Sequence, residues 1–137
     1  MRFAGYAALF DRIDRGGDMV RPGAFARAVA AGAGRLPLLW QHEAGRPIGR
    51  IEALSEDGRG LRVIGSLSER SAAGREAAAL LRDGAVSGLS FGYKVRRAAG
   101  ARPRMLTDLD LIEVSLVTIP MQPAARVHAV EGGDEAA

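Results

Sequence analysis

Apolar and polar positions alternate along residues 2–10, a period that predicts a first strand ending in the polar turn Asp11 to Gly17. Pro22-Gly23-Ala24-Phe25 opens an alanine-rich stretch with Phe25 and Val29 on one face, the pattern of a short helix that ends at Gly32 or Gly34. The apolar run Leu36-Pro37-Leu38-Leu39-Trp40-Gln41-His42 fits a strand. Residues 47–54 and 59–67 fit two more, joined through Ser55-Glu56-Asp57-Gly58 as a hairpin. Ser71 to Leu81 carries a helical pattern, with Ala77, Leu80 and Leu81 towards a core and Asp83-Gly84 as its stop. Alternation returns over Val86 to Val95 and Leu109 to Ile119, and the stretch between, Lys94 to Arg104, reads as an exposed loop. Helices fall between groups of strands, which favours a mixed α+β domain or a small barrel over a doubly wound sheet. The expected division is one domain over residues 1–130 and a flexible tail over 131–137.

Composition narrows the chemistry. The 137 residues contain no cysteine, which excludes a thiolate nucleophile, a disulfide framework and cysteine-built metal sites. Imidazole chemistry has two candidates, His42 and His128. The net charge is +3, and because Lys94 is the single lysine among nineteen basic residues, the high isoelectric point of about 10.1 follows from arginine usage and does not itself imply nucleic acid. No run approaches the ~18 apolar residues of a membrane span, and the first residues lack the pattern of a signal peptide. The expected location is the cytoplasm of the cell that makes it.

Three residues stand out. Gly88-Leu89-Ser90-Phe91-Gly92 matches G-x-S-x-G, but Tyr93 to Arg97 continue a strand and open no helix, so the esterase elbow that uses this motif lacks its context. Two flanking glycines still admit a substrate or another backbone close to Ser90; the alternative is a plain strand serine beside a bulge. His42 ends an apolar run ahead of Glu43-Ala44-Gly45, where a histidine serves as a base, a capping donor or a surface residue. His128 lies near the expected tail and is the poorer base. Alternation puts Leu109, Leu111, Glu113, Ser115, Val117 and Ile119 on one face, so Glu113 interrupts an apolar row and needs a partner, either a histidine or one of the arginines. Together they offer nucleophile, base and orienting acid.

The same residues resemble a known family, the prohead (capsid maturation) proteases of tailed bacteriophages, which are similar to the herpesvirus capsid-maturation protease. The resemblance rests on Gly5-Tyr6-Ala7 with Phe10, Gly17-Asp18 followed by Pro22-Gly23-Ala24-Phe25, Leu39-Trp40-Gln41-His42, Pro47-Ile48-Gly49, Gly88-Leu89-Ser90-Phe91-Gly92-Tyr93, and Glu113-Val114-Ser115-Leu116-Val117-Thr118 with Pro120. These segments run in family order over residues 5–123. The resemblance implies an assemblin-like α+β fold, a compact, mostly antiparallel β-barrel with flanking helices. It also implies a serine endopeptidase with Ser90 as nucleophile, His42 as base and Glu113 as orienting acid. Ser87 competes for the nucleophile's role, but Ser90 matches the family serine. Where the family shows Pro-Ala-Asn-Pro, this chain has Pro120-Met121-Gln122-Pro123, a departure at the strand exit. With the first motif at Gly5 and little after Pro123, the chain reads as a minimal catalytic core.

The implied substrates are scaffold, the amino-terminal segment of the major capsid protein, and the protease itself, cut inside the assembling prohead in the host cytoplasm. Self-association is an open partner; no cofactor, metal, membrane or specific nucleic acid is expected. A catalytically silent scaffold protein and a small nucleic-acid-binding barrel using Lys94 to Arg104 are the competing readings.

Overall fold

The alternating segments assemble into one eight-stranded sheet with two helices in the computed structural model, which describes residues 1–131. The strands are β1 (Arg2–Leu9), β2 (Asp18–Val20), β3 (Pro37–Trp40), β4 (Glu43–Glu56), β5 (Gly60–Leu67), β6 (Gly88–Ala99), β7 (Arg104–Val117) and β8 (Val127–Glu131). The helices are α1 (Ala26–Ala31) and α2 (Ala72–Arg82). The order in the sheet is β2-β7-β3-β4-β5-β1-β8, with β6 also on β7. Only β2 and β3 pair with β7 in parallel; every other ladder is antiparallel.

Strands β1, β3 to β7 and both helices answer to expected elements. α2 keeps to its predicted span, capped by Ser71, whose hydroxyl accepts the Gly74 N–H at 3.0 Å, and it buries Ala77, Ala78 and Leu81. Sequence alternation missed β2 and β8, three and five residues long and too short to show a period. Lys94 to Arg104 is largely not a loop: β6 runs to Ala99 and β7 begins at Arg104. Arg96 and Arg104 there are paired with Asp110 and Asp18, so two of the basic residues that the nucleic-acid reading would use already have acidic partners. Glu131, expected as the first residue of the tail, instead ends β8 and accepts a hydrogen bond from Arg2 at 2.8 Å; the rest of the expected tail, 132–137, lies outside the described residues.

The barrel expectation needs correction. The sheet is not closed by a continuous ladder, because β8 turns to run along β1, with Arg2 opposite Glu131 and Gly5 opposite Val127. Among the described residues, backbone pairing between this end and β6 consists of an isolated bridge, Gly88 with Arg126, and the flanking bonds Leu89 N–H to Ala125 O and Val127 N–H to Ser87 O, each 2.9 Å.

The core lies on one face of this sheet, where Phe25, Leu38, Ile48, Leu61, Val63, Leu89, Leu106, Leu109, Val114 and Leu116 are all buried. Leu89 faces Leu116 and Phe91 faces Val114 across β6 and β7, so these pairs belong to the core face. The residues between them, Ser90, Glu113 and Ser115, therefore turn to the opposite face.

Candidate active site

β6 and β7 set out this opposite face in three rungs: Gly88 opposite Val117, Ser90 opposite Ser115 and Gly92 opposite Glu113. Directly opposed residues hold their Cβ atoms about 4.5–5.5 Å apart, so Ser90 adjoins Ser115. Strict alternation would have placed Glu113 with Leu109 and Leu111 on the core side. A bulge prevents this. Gly92 faces Glu113 but Tyr93 faces Leu111, leaving Ile112 as an extra residue, which flips the strand so that Val114 and Leu116 point to the core. The carboxylate thus never enters the apolar row.

Glycine at 92 makes room for it. A Cβ at that position would lie 2.5 Å from Glu113 Oε2 and 3.1 Å from its Cδ. At Gly88 a Cβ would meet Val117 O at 2.7 Å and Pro120 Cδ at 2.8 Å. Both glycines of the G-x-S-x-G match are therefore required by neighbours of Ser90, a reason unrelated to a hydrolase elbow. Gly92→Ala is expected to push the Glu113 carboxylate aside, at a cost of about 1–3 kcal/mol of stability. Urea unfolding would measure the loss, and the histidine titration should move with it.

His42 sits where β3 turns into β4. Gln41 and His42 form a two-residue turn between Trp40 and Glu43, with φ of 52° and 61°. Positive φ at both central positions belongs to the tight type I′ hairpin, which glycine and asparagine normally supply. Here hydrogen bonds hold two larger residues in it. Gln41 donates its backbone N–H to Leu116 O at 3.0 Å, donates its side-chain amide to Thr118 Oγ1 at 2.6 Å and accepts the Thr118 N–H at 3.0 Å. The His42 N–H goes to Ser115 Oγ at 3.0 Å.

The turn places His42 Nδ1 2.5 Å from Glu113 Oε2, and Ser115 donates its hydroxyl to Glu113 Oε1 at 2.7 Å. The Glu113 side chain is 10% exposed and its partners are a histidine and a serine, with no arginine among them. The hydrogen bond to this carboxylate raises the His42 pKa, with burial opposing and the carboxylate's charge reinforcing the shift. With Nδ1–H committed to Glu113, neutral His42 carries its lone pair on Nε2, the form that can take a proton. The imidazole is 43% exposed and open to an incoming group.

Such a set fits proton transfer to and from a hydroxyl. Similarity to known proteins supports the same chemistry. The family model of the caudovirus prohead serine proteases matches residues 1–136. The chain belongs to that family. It is 29% identical over 137 residues to the prohead protease of Enterobacteria phage HK97, covering 96% of this chain and 61% of that protein. It therefore spans less than two-thirds of that relative. The fold is similar to that of the bacteriophage T4 capsid assembly protease, with a TM-score of 0.66, 15% identity and coverage of 85% of this chain and 80% of that one. It is equally similar to the KSHV protease solved with a hexapeptide phosphonate inhibitor, with a TM-score of 0.66, 15% identity and coverage of 92% and 63%.

Within this prohead protease family member the other candidates are placed elsewhere. Ser87 Oγ takes a hydrogen bond from Arg126 at 2.9 Å. His128 lies on β8 with its ring 5.8 Å from that of Tyr6, so it is held in a strand and not in a tail. Sequence reasoning passed over Gln41 and Ser115. For Ser115 a signal existed, since it stands two residues from Glu113 on the same strand; for Gln41 none did, because nothing in a Gln-His pair announces a tight turn. The expected departure at Pro120 to Pro123 has a structural use: buried Gln122 accepts the Leu9 N–H at 2.6 Å and donates to Leu9 O at 3.0 Å, which fastens the exit of β7 to β1. Among the described residues, no cluster of acidic and histidine side chains could hold a metal ion, and no helix is long and apolar enough to cross a membrane.

Proposed function

We propose that this chain is the serine endopeptidase of head maturation in a phage or phage-like particle, cutting through an acyl-enzyme on Ser90. His42 Nε2 takes the Ser90 hydroxyl proton as Oγ attacks the scissile carbonyl carbon. His42 then delivers that proton to the leaving amine as the C–N bond breaks. A water, deprotonated by the same imidazole, hydrolyses the ester and restores the Ser90 hydroxyl. Glu113 fixes the Nδ1–H tautomer and stabilises the imidazolium that forms between these steps. The observation that carries this reading is the 2.5 Å contact of Glu113 with His42 Nδ1, one rung from a serine between two glycines, in a chain of a prohead protease family.

In the same proposal the substrates are the major capsid protein's amino-terminal segment, scaffold and the protease itself, met inside the assembling prohead in the host cytoplasm; membership of the prohead protease family supports capsid protein as a substrate. Self-association belongs to the same proposal, as does a single domain over residues 1–130 needing no cofactor. The test co-expresses the chain with the major capsid protein encoded beside it and reads the capsid-protein mass. A shortened product is expected, absent when the protease is left out. An organophosphorus reagent that phosphorylates activated serines should stop the purified enzyme and add mass to the peptide containing Ser90. An unchanged capsid-protein mass in both cultures, or cleavage indifferent to full labelling of Ser90, would sink the reading.

A further inference from the structure

Ser115 is fully buried, and its hydroxyl bonds both the backbone of His42 and the carboxylate of Glu113. A serine hydroxyl has one proton and two lone pairs. The His42 N–H points at its oxygen, so the proton is left for Glu113 Oε1, and the rotor has a single satisfied direction. The bonds close a ring: His42 N–H to Ser115, Ser115 to one oxygen of Glu113, the other oxygen of Glu113 to Nδ1 of His42. Each end of His42 is thus tied, through one side chain, to the same carboxylate.

The tie matters because His42 has a φ of 61°, which a residue other than glycine keeps only where its surroundings over-determine it. Gln41 holds the preceding residue of the turn, but on His42 itself the backbone bond is to Ser115. Nor is Ser115 a second nucleophile: it has no exposed surface, and its proton is committed to a carboxylate.

We propose that Ser115 is a positioning residue of the proposed reaction, its hydroxyl locking the backbone and the imidazole of His42 onto Glu113 so that Nε2 keeps one direction over the site. The proposal rests on the protease reading above. A serine that only fills space predicts lost stability on substitution and an unchanged imidazole. A positioning serine predicts a changed imidazole, because Glu113 is the charged group acting on that ring.

Ser115→Ala removes an acceptor and a donor together, and Ser115→Thr keeps both. In the purified full chain, Ser115→Ala is expected to lower kcat for capsid-protein cleavage about 10- to 100-fold, the scale of a misplaced reacting group, with KM within about twofold. The acid limb of its pH profile should shift towards the ordinary histidine value, and Ser115→Thr should restore both. Histidine titration by NMR in a Ser90→Ala background reads the same shift without turnover. Should Ser115→Ala fail to fold, Ser115→Cys, similar in size with a weak donor, takes its place in that titration. A folded Ser115→Ala or Ser115→Cys whose His42 titrates as in the parent overturns the proposal. If the wild-type chain cleaves nothing, the protease reading fails, while the titration still decides whether Ser115 governs His42.

Discussion

Replacing Ser90 by alanine is expected to slow capsid-protein cleavage about a millionfold, the loss seen when a serine hydrolase loses its nucleophile. The hydroxyl is the only group removed and the β6–β7 ladder does not depend on it, so the thermal midpoint should stay close to that of the parent. His42→Ala should lose a similar factor, and the double variant little more, because nucleophile and base act in one step and their losses do not add. His128→Ala and Ser87→Ala are the controls. His128 packs against Tyr6 on β8 and Ser87 accepts from Arg126, so both variants should retain cleavage. Single-turnover cleavage of purified capsid protein, followed by mass spectrometry, makes the comparison. Full activity in Ser90→Ala would remove Ser90 as the nucleophile, and a wild-type chain that cleaves nothing would return it to the reading of a silent assembly protein.

Glu113→Gln should cost about 10⁴-fold in kcat, because the amide keeps the shape of the carboxylate but no longer fixes the tautomer or stabilises the imidazolium. It should also move the pH dependence in a defined direction. Glu113 holds the His42 pKa above its ordinary value near 6.5. A base must be neutral to act, so wild-type activity should rise with pH through a midpoint above 6.5, and the midpoint should fall in Glu113→Gln. Stability runs the other way. A raised folded-state pKa stabilises the native state fully below the unfolded value, and this contribution is lost as pH rises through the folded value. The wild-type advantage over Glu113→Gln from this pair should therefore be largest in mild acid and shrink in alkali, which urea midpoints across pH 5 to 9 would show. An acid limb at the same pH in both proteins would disconnect Glu113 from the base.

Much of this site was legible before any coordinates, and the exceptions have physical causes. His42, Ser90 and Glu113 could be named because residue type and motif order limit the choice, above all in a chain with two histidines. Their surroundings could not. Alternation assumes an unbroken pleat, and the bulge at Ile112 breaks it one residue before Glu113, so a reading that put the carboxylate in the core row had the wrong face. The turn at Gln41-His42 carries no glycine or asparagine to betray its left-handed backbone, which is stabilised by Thr118 and Ser115 from more than seventy positions away. β2 exists because Arg104 to Leu106 offers it a partner, and nothing in three residues encodes that. The glycines around Ser90 were noticed as places of close approach; that the approaching groups are Glu113 and Pro120 is tertiary information.

The hydrogen bonds between Gln41 and Thr118, and between Leu9 and Gln122, also set a schedule. During synthesis the segment bearing the base emerges first, the serine follows, and the carboxylate with the fastening at Gln122 comes last. At about 5–20 residues per second, the interval between residues 42 and 122 lasts several seconds or more. For most of that interval His42 has no Glu113 and its turn no Thr118, so the nascent chain carries the proposed catalytic residues without their alignment. On the proposed reading, such a chain could not cut what lies beside it until the segment through residue 122 has left the ribosome and folded.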